Sequence, residues 1–115
     1  MEDARKILVG KRKGHKGYAT KITAEAEKLC AEMKLDDRTT LHAYLKTLSD
    51  RKDIIIALDD EILGHTEPDD MEAEVMAAGD YQLKLETIIF RITDTLDKLN
   101  LKSAIIPKPE DDMKL

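Results

Sequence analysis

The stretch from Met71 to Leu99, MEAEVMAAGDYQLKLETIIFRITDTLDKL, carries the strongest pattern in the chain. Met71, Val75, Ala78, Gln82, Leu85, Ile89, Ile92, Leu96 and Leu99 recur at alternating steps of four and three. On a helix that spacing gathers them into one stripe. Val75, Gln82, Ile89 and Leu96 take the a positions of a heptad, and Met71, Ala78, Leu85, Ile92 and Leu99 take the d positions. A strict 3.5-residue period keeps facing a neighbour only if the helices supercoil, so the pattern predicts a coiled-coil seam over residues 70–100. Gly79 falls beside the seam at a cost of about 1 kcal/mol relative to Ala. Gln82 is a polar seam residue of the kind that fixes register.

Upstream, Leu41, Leu45, Leu48, Ile55, Leu58 and Ile62 line one face of a second helix over residues 38–63, widened by Ile54 and Ile56. Asp37 is placed to cap its start, and Gly64 to end it in the left-handed conformation. The connector Gly64 to Asp70 contains Pro68, which cannot continue a helix, followed by Asp69 or Asp70 as the next cap. Both helices are about 40 Å long and the connector is short, which predicts an antiparallel hairpin. Tyr18, Ile22, Ala26, Leu29 and Met33 mark a shorter helix over 17–34. The contacts between helices are assigned to Leu41, Leu45, Leu48, Ile55, Leu58, Ile62, Val75, Leu85, Ile89, Ile92, Leu96 and Leu99. The fold expected is therefore all-α: a helical hairpin or coiled coil with a short additional N-terminal helix. A short first helix would leave apolar surface along the hairpin, and a homodimer that completes a helical bundle would bury it.

Composition agrees with long helices. The 115 residues are 37% charged and 3% aromatic, and such a chain suits narrow apolar stripes flanked by solvated charge. Charge is unevenly placed. Residues 1–21 hold seven Lys or Arg against Glu2 and Asp3, a net of +5; the remainder holds twelve cations against twenty-two anions, a net of −10. Gly10, Gly14 and Gly17 interrupt the cationic stretch, so residues 1–16 read as a flexible basic arm. Lys11, Arg12, Lys13, Lys16 and Lys21 are its candidate contacts to nucleic-acid phosphate, with weak RNA binding through counterion release. Residues 101–115 contain Pro107, Pro109 and an acidic cluster, and read as a linker.

Motifs for catalysis are wanting. His15, His42 and His65 lie in different segments with no i, i+4 pair, and Cys30 is the single cysteine, so neither a metalloprotease helix nor a cysteine-based zinc site can be written. The clusters around Asp59 and Asp69 lack the ligand spacing and central glycine of a calcium loop. Neither Ser49 nor Ser103 sits in a nucleophile elbow, and Gly10 to Gly17 lacks the spacing of a phosphate loop. The expectation is a non-enzyme without metal, cofactor or small-molecule substrate. No apolar run of about 20 residues and no signal-peptide core appear, so a soluble intracellular protein, cytoplasmic by default, is expected with no membrane partner.

The order of these features resembles a known family. A basic Arg12-Lys13-Gly14-His15-Lys16-Gly17 precedes a Thr20-Lys21-Ile22 helix start. A long helix carrying Ala57-Leu58-Asp59-Asp60-Glu61 follows, then Glu72 through Tyr81 opening a second long helix, then a Pro-containing acidic tail. This resembles the N-terminal helical region of Gag-like polyproteins of BEL/Pao-type LTR retrotransposons. The resemblance spans about residues 5–105 and carries no zinc knuckle, protease signature or polymerase motif. It implies a structural role in multimerisation of a Gag-like particle, with the basic arm contacting RNA.

Overall fold

The computed structural model describes residues 2–105. Three helices follow one another: α1 (Glu2–Glu32), α2 (Arg38–Gly64) and α3 (Pro68–Ile105), with a single 3-10 turn, Leu35–Asp37, before α2. They form an up-down-up bundle, a rod with extents of 73 × 21 × 20 Å. Cross-links fix the directions. Glu25 meets Tyr44 and Arg12 meets Asp59, so α1 and α2 are antiparallel; Arg38 meets Asn100 and Lys52 meets Glu86, so α2 and α3 are antiparallel too. The α2–α3 hairpin read from the apolar spacing is present, and the fold is all-α.

The N-terminal helix is not short. Residues 2–16, expected as a flexible arm, continue the same helix as residues 17–32, giving α1 31 residues. A line of five residues spaced seven apart, Arg5, Arg12, Ala19, Ala26 and Met33, faces the bundle from end to end. It is flanked by the inward-leaning pairs Leu8–Val9, His15–Lys16, Ile22–Thr23 and Leu29–Cys30. Packing along that line outweighs the propensity cost of three glycines, since tertiary contacts and not propensity decide most helices. Ala19, not Tyr18, is the buried member of the first apolar turn.

The apolar core occupies the half of the rod built from the C-terminal part of α1, the N-terminal part of α2 and the C-terminal part of α3. Cys30, Leu41, Leu48, Ile92 and Leu99 lie at its centre, with Leu45 and Ile89 half-buried against it. In α3 the centre line runs Leu85, Ile88, Ile92, Thr95, Leu99, which is the d position and its neighbour at g. A helix serving two neighbours at once turns d to the middle, and a positions move to the side facing α2. Leu96 is still buried there, but Val75 is 53% exposed.

The helix ends also depart from expectation. Gly64 closes α2 without a positive φ, and His65 takes the cap position, its N–H bonding the Ile62 carbonyl at 2.9 Å. The left-handed residue is Met33, φ 54°, where α1 ends. Asp37 stands at the N-cap of α2 but its carboxylate bonds no backbone N–H there, and one of its oxygens is buried without a partner. Pro68 opens α3, where its missing N–H costs nothing, and Asp69 and Asp70 lie in the first turn as favourable charges instead of caps. At the other end α3 runs through residues 101–105, expected as the start of a linker; the rest of that expected linker lies outside the described residues. No described helix is long and apolar enough to cross a membrane.

Candidate interaction site

The half of the rod opposite the apolar core is built differently. Its centre line in α1 is Arg5 and Arg12, and the bundle closes over these cations with acidic partners. Arg12 Nη1 donates to Asp59 Oδ1 at 2.9 Å and to Glu74 Oε1, so one guanidinium joins all three helices. The three side chains are 14, 13 and 16% exposed, which places the cluster inside the rod. Burial pulls the guanidinium toward neutrality, and the hydrogen bonds to Glu74 and Asp59 overcome it, so Arg12 holds its proton above its ordinary value. Arg5 reaches Glu74 at 3.7 Å and donates to the hydroxyl of buried Thr66, which in turn donates to the Ile62 carbonyl at 2.7 Å.

One turn toward the core, Lys16 lies over the Tyr81 ring, 4.4 Å from its centroid, and the Tyr81 hydroxyl donates to the Lys16 carbonyl at 3.2 Å. Burial and the nearby Arg12 charge lower the Lys16 pKa. On the α2 side, Arg51 stacks on Tyr18 at 4.7 Å and donates to His15 Nδ1 at 2.6 Å.

This arrangement divides the basic residues. Arg12 and Lys16, expected to contact nucleic acid, are turned into the bundle and engaged there. Lys11, Lys13 and Lys21 are exposed, as is Lys6, and none of the four forms an ion pair among the described residues. Gly10, Gly14 and Gly17 share their outward face of α1, with open space where a Cβ would stand.

The residues assigned to helix contacts divide as well. Leu41, Leu48, Ile55, Leu58, Ile62, Leu85, Ile92, Leu96 and Leu99 are buried within the chain, and Leu45 and Ile89 are half-buried. Their contacts lie inside one bundle. The sequence matches no family model, and no curated protein or solved structure matches it. Val75 is the exception, opening onto a groove of about 490 Å³ between α2 and α3 on the side away from α1.

Ile56, Leu63, Val75 and Ala78 form the apolar floor of this groove, with Ile56 38% exposed. Asp53 and Asp60 stand on its α2 rim, exposed and outside any ion pair among the described residues. Ile54 and Ile56, expected to widen the apolar face of α2, are both exposed, and Ile56 lines this open surface. The groove joins no pair of nucleophile and base, and Cys30 is buried at the far half of the rod. No group of three or more His, Cys, Asp or Glu able to hold a metal occurs among the described residues. What the groove offers is apolar area with acidic margins.

Proposed function

We propose that this chain is a non-catalytic self-association module, the N-terminal helical region of a Gag-like protein acting in the cytoplasm. The observation that carries the reading is the α2–α3 groove: a rod whose own core is satisfied still leaves Val75 and Ile56 uncovered on a continuous face. Apolar surface rimmed by polar groups is the usual mark of a protein contact. Apart from Val75, the residues assigned to contacts between helices are buried or half-buried within the single chain, and association falls to the surface left over. Sedimentation velocity across a concentration series tests the proposal. Mass rising above the 13.0 kDa of one chain supports it, and a single 13.0 kDa species at every concentration rejects it.

An RNA-binding module is the second reading. Its support is the exposed set Lys6, Lys11, Lys13 and Lys21 on α1, reduced by the inward turn of Arg12 and Lys16. It requires binding to single-stranded RNA that weakens steeply with salt.

A further inference from the structure

Two exposed faces of this rod are complementary, and they point in opposite directions. In a three-helix bundle the groove between two helices lies diametrically across from the outer face of the third. The α2–α3 groove spans residues 53–63 and 74–82, at the level of the rod where α1 carries Lys6 to Gly17. At one level, then, one side presents apolar Ile56, Leu63, Val75 and Ala78 with exposed Asp53 and Asp60. The other presents exposed Lys6, Lys11 and Lys13 around Ile7, which is 60% exposed, and the glycines at 10, 14 and 17.

Resting on the self-association reading, we infer that the occupant of the α2–α3 groove is the outer face of α1 from a second copy, so that copies stack front to back in an open-ended row. Charge selects this occupant: the lysines of α1 meet the aspartates of the rim. Shape permits it: Gly10, Gly14 and Gly17 let the incoming backbone approach the floor around Val75, with Ile7 supplying apolar cover. A contact between unlike patches is heterologous, and when those patches lie back to back on one body the operation that joins two copies leaves both ends open. The row therefore does not close at a dimer.

Two variants, each blocking one face, test the geometry. G10W/G14W covers the α1 face with bulk while keeping its lysines, and V75R fills the groove; both alter exposed positions, and circular dichroism verifies that helicity is kept. If V75R loses helicity, D60K replaces it. Wild type should grow in mass with concentration past a dimer, and shrink toward 13.0 kDa as salt rises from about 50 mM to about 500 mM. Each variant alone should stay monomeric. An equimolar mixture should form a one-to-one pair and stop there, because only one intact face of each kind remains. A wild-type plateau at the dimer, with no pairing in the mixture, overturns front-to-back stacking while self-association stands. A monomer under all conditions removes both, and growth only on adding RNA rejects the stacking in favour of nucleic acid as the partner of α1.

Discussion

Arg12 of α1 donates to Asp59 of α2 at 2.9 Å, and its guanidinium is covered by the helices it joins. The pair, with Glu74 as third member, takes the place that a leucine layer holds in the other half of the rod. Taking a charge away from such a cluster leaves its partners unpaired in a poorly solvated place, which costs more than the cluster contributes. Arg12→Met should therefore destabilise the fold by about 2–3 kcal/mol, at the low end for buried ions because the cluster is partly wetted. The combined change Arg12→Met, Asp59→Leu and Glu74→Leu should recover wild-type stability or exceed it. Urea denaturation of the two proteins checks both statements, and an Arg12→Met protein as stable as wild type refutes the first.

The glycines of α1 contribute nothing to its stability. Gly10, Gly14 and Gly17 have helical φ, and open space where a methyl group would go. Each Gly→Ala change should add about 0.5–1 kcal/mol by restricting the unfolded chain. The triple variant should melt higher than wild type. A lower melting temperature would mean that the glycines serve the folded monomer after all.

Two positions on the same helix separate core from surface. Ile92 is fully buried at the d line, whereas Val75 is exposed at an a position. Ile92→Ala should cost about 3 kcal/mol through lost transfer energy and the cavity left behind. Val75→Ala should change stability by less than about 0.5 kcal/mol. Equal effects would contradict the rotation of the seam that three-helix packing imposes.

The hairpin was legible because Leu41, Leu48, Ile55, Leu85, Ile92 and Leu99 place apolar side chains where helical spacing puts the core. The first half of α1 was hidden, although it obeys the same period: its inward line is Arg5 and Arg12, and a search for apolar recurrence passes over cations. The seven-residue spacing of Arg5, Arg12, Ala19, Ala26 and Met33, with Leu8–Val9 and Ile22–Thr23 beside it, was the available signal. The acidic partners could not be found from spacing alone, since Asp59 and Glu74 become neighbours of Arg12 only when the topology is known. The division of the basic residues was hidden for the same reason. Lys11 and Lys13 flank Arg12 in sequence, yet a helix turns them outward while Arg12 points in.

Met33 holds φ 54° at the end of α1, a conformation disfavoured for any residue with a Cβ, while its side chain packs on the core. Met33→Ala keeps the strain and loses the packing. Met33→Gly loses the packing and removes the strain. The glycine variant should therefore be more stable than the alanine variant by about 1 kcal/mol, despite having the smaller side chain. The reverse order would show that the left-handed turn is unstrained.

Tyr44 on α2 donates its phenolic proton to Glu25 Oε2 on α1 at 2.8 Å. That hydrogen bond, with a smaller contribution from burial, raises the Tyr44 pKa above its ordinary value. The folded chain then holds this proton more tightly than the unfolded chain. The linked stability is fully present below the ordinary tyrosine value and is lost as pH climbs through the raised one. Subtracting the ultraviolet titration of Tyr44→Phe from that of wild type isolates the Tyr44 phenol, and its midpoint should lie above the value for free tyrosine. Glu25→Gln should bring the midpoint down, because the neutral amide accepts the hydrogen bond without opposing the phenolate charge. An unchanged midpoint in Glu25→Gln would detach Tyr44 from Glu25 and leave the α1–α2 register at this level to the apolar contacts alone.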